Sequence, residues 1–305
     1  MSGVLTSLVR WFDSWAAGKP AQEGDRTIDW LRILPFVLLH AAVALVLVVG
    51  WSPVALLVAA AFYAVRMFGI TAFYHRYCSH RAFRTSRALR LVLALLSASA
   101  AQRGPLWWAA HHRRHHRHSD RPQDAHSPEV DGFWWSHVGW LLARENYPTR
   151  LEEVGDLARH AELRFLDRFD ALVPLLALAA NYALGALLAR FAPQLGTSGP
   201  QMAVWGFVVS TVVLYHCTFA INSFAHRFGS QPHATRDESR NNFLLALLTL
   251  GEGWHNNHHR YPGAARQGHH WWQVDMTWYV LRGLAACGLV WDLQPVRAPV
   301  TREKR

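Results

Sequence analysis

The chain has little cysteine: Cys78, Cys217 and Cys287 are the three in 305 residues, far apart and without a CxxC pair. Neither a disulfide scaffold nor an iron–sulfur site is indicated, so any metal must be held mainly by imidazole. Acidic side chains are also in short supply, with 21 Asp and Glu against 31 Lys and Arg, a formal net charge of +10. Such a chain suits nucleic acid, anionic lipid or an acidic cofactor such as coenzyme A. Its long apolar runs favour the last two, and no nucleic-acid partner is expected. No internal repeat or low-complexity linker is present, and MSGVLTSLVRWFDSWAAGKP at the N-terminus has a short apolar stretch but no convincing signal-peptide cleavage site.

What the sequence does have is four long apolar runs. LRILPFVLLHAAVALVLVVG covers 31–50, and after the turn WSP the run VALLVAAAFYAVRMFGITAFY reaches Tyr74. ALVPLLALAANYALGALLARFAP and MAVWGFVVSTVVLYHCTFAIN follow at 171–193 and 202–222. Each comes close to the roughly 20 residues with which a helix crosses a bilayer. The connections WSP and QLGTSGPQ hold no Lys or Arg, and Arg190 alone sits near that face. The N-terminal segment, 75–169 and the region beyond 226 are rich in basic residues. The positive-inside rule therefore expects both termini and both long polar segments in the cytoplasm, with the chain in an inner or cytoplasmic membrane.

The expected fold is an all-α integral membrane protein, four transmembrane helices with a helical cytoplasmic cap holding a dimetal site. Its parts are an N-terminal segment (1–30), a first hairpin (31–74), a cytoplasmic or interfacial segment (75–170), a second hairpin (171–225) and a C-terminal cytoplasmic segment (226–305). Within the cap, 87–102 is too short to span and the tryptophan-rich 133–144 reads as interfacial. The stretches 151–169 and 276–293 read as surface helices. The tail from Arg297 is expected to be disordered.

Histidine is concentrated in three clusters: HRYCSH from His75, HHRRHH from His111 and HNNHH from His255. His112, His115 and His116 have the spacing i, i+3, i+4, and so do His255, His258 and His259; on a helix this is one stripe. His75 and His80 are five apart, on different faces of an ideal α-helix, so the chain is expected to leave helical geometry between them. Asn222 and His226, four apart at the end of the last run, project to the same place. So many nitrogens exceed one tetrahedral zinc site and suit two metal ions with open positions. Imidazole alone does not choose between zinc, copper and iron. Asp120, Asp124 and Glu252 stand beside the clusters, placed to accept the other N–H of a metal-bound histidine. Scattered histidines (His40, His111, His118, His137, His160, His233, His269, His270) read as caps or interfacial residues, and His216 as a packing residue.

At these residues the sequence resembles the membrane-bound fatty acyl desaturases, specifically the stearoyl-CoA (delta-9) desaturase-like family. HxxxxH stands as HRYCSH, and HxxHH as HRRHH and again as HNNHH. HRYCSHRAF, SDRPQDAHSP, WWSHVGWLL, INSFAH and GEGWHNNHH match in order and spacing, over most of 30–295. The resemblance implies two iron ions, O₂ as co-substrate and removal of two hydrogens from an acyl chain. It implies His75, His80, His112, His115, His116, His226, His255, His258 and His259 as ligands, with Asn222 holding a metal through water. Cleaving an unactivated C–H bond is metal chemistry rather than side-chain acid–base work, and positioning decides which carbons react. Tyr63, about three turns before His75, is a candidate to limit the acyl tunnel, and Trp108 to line its mouth.

The family's animal members carry an arginine where this chain has Ala110, and an Arg-Lys pair where it has Arg144 and Glu145. These losses weaken a coenzyme A thioester against acyl groups on phospholipid or carrier protein; Arg103, Arg113 and Arg144 remain as candidate head-group or donor-facing charges. With no HPGG heme segment and no ferredoxin-like cysteine set, electrons are expected from a separate donor of ferredoxin, rubredoxin or cytochrome b5 type with its reductase. The competing readings are a related lipid hydroxylase or ketolase, and a metal-binding membrane transporter without chemistry. A transporter would set its ligands along a path near the bilayer midplane, whereas these clusters gather at one face.

Overall fold

The computed structural model describes residue 5, residues 8–16 and residues 24–297. Part of the expected N-terminal segment and all of the tail beyond Arg297 lie outside the described residues. The principal helices are α1 (Leu34–Val49), α2 (Pro53–Ser79), α3 (Arg87–Ala98), α4 (Pro105–His118), α5 (Ala161–Arg168), α6 (Leu172–Phe191), α7 (Gly199–Ser223), α8 (His255–Arg260) and α9 (Met276–Ala286). One two-residue antiparallel pair, β1 (Arg84–Thr85) with β2 (Val290–Trp291), ties the late chain to the segment after His80, in the register Arg84↔Trp291.

Three of the described helices are long and apolar enough to cross a membrane: α2, α6 and α7. Only 11% of the most apolar stretch of α6 is buried. A helix of that composition with so little protein against it needs lipid to cover it. The first apolar run gives the shorter α1. Residues 29–33 are spent in a turn closed by Asp29, Ala42–Leu45 tightens into a 3₁₀ turn, and Gly50 at φ +62° ends the helix. Ser52 then caps α2 by accepting from the Ala55 N–H, with Pro53 at the first turn. Gln201 and Trp205 of α7 donate to the Val49 and Gly50 carbonyls and satisfy the turn between α1 and α2.

The remaining helices gather where α2 ends. Their core contains Phe73, Tyr74, Phe83, Leu106, Leu163 and Leu281. The start of α4 is fixed from a distance. Asp167, buried on α5, accepts from the Leu106 and Trp107 N–H groups at 2.9 and 2.7 Å, and from Trp15 and Thr149. A carboxylate at a helix N-terminus meets both its orphan donors and its positive dipole end. Gly104 makes room, since a Cβ there would lie 2.3 Å from Asp167. Asp167→Ala is expected to cost about 2 kcal/mol, read as a lower midpoint of thermal unfolding in detergent, with Asp167→Asn retaining part of the loss.

Candidate metal centre

The end of α2 departs from α geometry. Gly69–Ser79 is π-wound, and the His80 N–H reaches the His75 carbonyl at 3.3 Å. Thus the chain does not leave the helix after His75, as the five-residue spacing suggested; it widens it. An i→i+5 repeat brings residues five apart to one side, and the His75 and His80 rings lie 4.9 Å apart.

On α4 and α8 the i, i+3, i+4 spacing divides between two neighbouring directions. At 100° per residue, i and i+4 lie about 40° apart while i+3 falls about 60° to the other side. On α4 the pair His112 and His116 joins His75, His80 and His258 in one group, while His115 turns to a second. On α8 the shares are reversed: His255 and His259 join His115 and His226 in the second group, and His258 goes to the first. Within each group the ligand nitrogens all lie within 4.8 Å of one another.

In the first group the Nε2 atoms of His75 and His258 are 3.0 Å apart, and those of His80 and His112 2.8 Å. His116 Nε2 lies 3.0 Å from that of His112 and 2.8 Å from that of His258. In the second, His226 and His255 approach to 3.1 Å and His115 and His259 to 3.4 Å.

Carboxylates hold the other edges of the rings. Asp124 accepts from His115 Nδ1 at 2.9 Å, Asp120 from His226 at 2.9 Å and Asp237 from His259 at 2.8 Å. Glu252 pairs with His75 Nδ1. With Nδ1–H donated outward, the neutral form of each of these rings presents a bare Nε2 lone pair inward. Lone pairs at such distances repel unless a cation stands between them. Nitrogens about 2.1 Å from one ion and at right angles would be about 3.0 Å apart, so the donor set fits one cation in each group.

Electrostatics agree. Burial, reinforced by neighbouring imidazoles, holds His80, His112, His116, His255 and His258 well below the ordinary histidine pKa, so these rings are neutral. Burial likewise brings His259 down to about 4 against the pull of Asp237. Burial opposes ionisation of Asp120, but His226, the Glu238 N–H and the Ser127 hydroxyl together outweigh it and its pKa falls to about 2.

The remaining predicted residues fall as follows. Trp108 stacks on His112 with ring centroids 5.0 Å apart and walls the first group. Tyr63 donates its hydroxyl to the Leu248 carbonyl at 2.5 Å. Asn222 is half-buried in the last turn of α7, one turn before His226. Arg103 is engaged by Asp170, the Tyr147 carbonyl and the Trp107 ring. Arg113 binds Asp156 and the carbonyls of Cys78 and Ser79, clamping α4 to the end of α2. Arg144 is exposed.

Burial raises Asp156, but Arg113 and Arg81 more than offset this and hold its pKa down to about 2. Its depressed pKa contributes stability that is complete above the ordinary carboxylate range and is lost as pH falls from about 4 to about 2. Thermal unfolding midpoints across that window should fall more steeply for the native chain than for Asp156→Asn.

Sequence reasoning missed Asp237, His126 and Gln267. Asp237 lies 22 residues before its partner His259, and no spacing rule links them. His126 is buried with its ring 4.4 Å from that of His115, and forms a third group with His115 and Asp124. It stands two residues after Asp124, the one signal available. Gln267 donates to Glu252 and lies 3.4 Å from His75 Nδ1. His137, read as a lone histidine, contacts Ser223 at 2.9 Å and His216 at 3.1 Å.

Fold and site together define a helical membrane protein with two neighbouring imidazole groups that could each hold a metal ion. The fatty acid desaturase family model matches residues 50–291, and the chain belongs to that family. An acyl-CoA 5-desaturase of Anemone leveillei is 36% identical over 300 residues, covering 94% of this chain and 88% of that protein. An sn-1 stearoyl-lipid 9-desaturase of Anabaena variabilis is 35% identical, covering 88% and 94%. A chloroplastic palmitoyl-monogalactosyldiacylglycerol delta-7 desaturase of Arabidopsis thaliana is 41% identical, covering 75% of this chain and 58% of that protein.

Proposed function

We propose that the protein is an O₂-dependent acyl desaturase that introduces a cis double bond at the delta-9 position of a saturated acyl-CoA. The observation that carries this is the convergence of nine Nε2-bearing histidines into two adjacent groups. The residues would hold two iron ions: His75, His80, His112, His116 and His258 one of them, and His115, His226, His255 and His259 the other, with Asn222 reaching it through water. When bound, the irons supply O₂ activation and the removal of two hydrogens, using two electrons from a separate carrier. Asp120, Asp124, Asp237 and Glu252 would fix ring orientation and the tautomer that turns Nε2 inward. Trp108 forms the wall along which the acyl chain passes the first group, and Tyr63, anchored on Leu248, limits how far its tail reaches. The apolar part of α1 completes four spans, and the loop charges set the metal end in the cytoplasm.

A second reading, acyl groups carried on phospholipid, is favoured by Glu145. Its carboxylate accepts from the Gly24 N–H and pairs with Arg26, where animal members carry a basic residue. The test is expression in a host lacking its own desaturase, with gas chromatography–mass spectrometry of the acyl pool. A new cis-monounsaturated chain with its double bond at carbon 9 is the expected product. Hydroxylated or keto products would replace the reading with a hydroxylase. Purified protein supplied with acyl-CoA or with labelled phospholipid then separates the two carriers.

A further inference from the structure

A pocket of about 410 Å³ opens directly beside the first histidine group, lined in part by His80, Arg81, Arg260, Tyr261, Gln294 and Arg297. We propose that it is the docking site of a small acidic one-electron carrier protein; this rests on the desaturase reading, which requires electrons from outside the chain.

The placement carries the inference. His80 Nε2 faces inward, 2.8 Å from His112 Nε2, while the same residue lines the pocket. One side chain therefore separates a docked partner from the metal-binding nitrogens. Three arginines and no carboxylate contribute to the lining. Arg81 is paired with Asp156, which Arg113 also binds, so Arg260 and Arg297 carry the charge of the rim. A basic rim over a redox centre steers an acidic partner and fixes its register.

The walls are preformed. Three chain segments meet there through backbone bonds, Gln294 N–H to the Ala82 carbonyl at 2.8 Å and Ala265 N–H to the Gln294 carbonyl at 2.9 Å. Little ordering is lost on docking, as suits a carrier that must bind and leave at every turnover. The same cations would attract the phosphates of a thioester head group, but the floor does not suit an acyl chain. Its lining takes no residue from α1, α2, α6 or α7.

The test uses the full-length, metal-loaded protein in detergent and a plant-type ferredoxin as the acidic probe. The double variant Arg260→Glu, Arg297→Glu is expected to raise the dissociation constant at least about tenfold at low salt, and the difference should shrink to about twofold or less near 0.5 M salt. Metal content, reduction of the metals by dithionite and the KM for the acyl substrate should stay as in the native chain. The proposal is overturned if the native chain does not bind the ferredoxin, if the double variant binds it equally well, or if the variant's one change is a higher acyl-substrate KM, which would make the pocket a head-group site. Failure of the desaturase reading would look different: no unsaturated product from the native chain with any carrier.

Discussion

His258→Ala is expected to leave no detectable unsaturated product in a host lacking its own desaturase, a loss of at least about a thousandfold. His258 is the one residue of α8 in the first group, and its Nε2 touches both His75 from α2 and His116 from α4. Removing it opens the group on the side where two helices from distant parts of the chain meet. The fully buried position also becomes a cavity among the other imidazoles of the group. Metal analysis of the purified variant should show one ion fewer per chain, the second group being made of other residues. Asp237→Ala makes the useful contrast. It removes no metal-facing nitrogen and frees the His259 ring and the Ser239 N–H, so metal affinity should fall about 10–100-fold with product still formed. Full activity and full metal content in His258→Ala would show that the third histidine cluster does not serve the reaction.

The difference between those two variants mirrors what could be read from the residues alone. The ligand histidines announce themselves through helical spacing, because i, i+3 and i+4 already fix relative direction on α4 and α8. The carboxylates behind them do not. Asp120 and Asp124 follow their cluster closely and were within reach, but Asp237 meets His259 through a loop whose course no local rule specifies. The π-winding of Gly69–Ser79 was hidden for a different reason. GITAFYHRYCS carries no proline, its one glycine stands at the first position, and the five-residue histidine spacing reads equally well as an exit from the helix. The apolar runs were legible in position but not in extent. A turn closed by Asp29 takes the first residues of the first run, whereas the second runs on as helix beyond Tyr74 to Ser79. Arg113 read as a surface charge, yet its guanidinium holds α4 against the end of α2, an arrangement visible only once those helices are packed together.

Arg76→Met is expected to lower stability by about 3–5 kcal/mol, because it removes one partner of a buried ion network and leaves the others uncompensated. Arg76 is 1% exposed. Its guanidinium forks onto both oxygens of Asp275, at 2.9 and 3.2 Å, and bonds to Glu252 at 3.1 Å and to the Ala265 carbonyl at 2.7 Å. Asp275 in turn caps α9 by accepting from the Trp278 N–H and receives the Gln267 N–H at 2.7 Å. Glu252 holds His75. One arginine therefore connects the residue before it in sequence, a metal-facing histidine, to the capping group of the last helix. A chain of this size should show a midpoint of thermal unfolding lower by about 10 °C. Arg76→Lys is not a rescue, since a single ammonium cannot reproduce the bidentate fork onto Asp275. The double variant Arg76→Met, Asp275→Asn separates charge from packing. If the loss arises from the stranded carboxylate, neutralising Asp275 should recover part of the midpoint, whereas a loss from packing alone would leave the double variant no more stable than Arg76→Met.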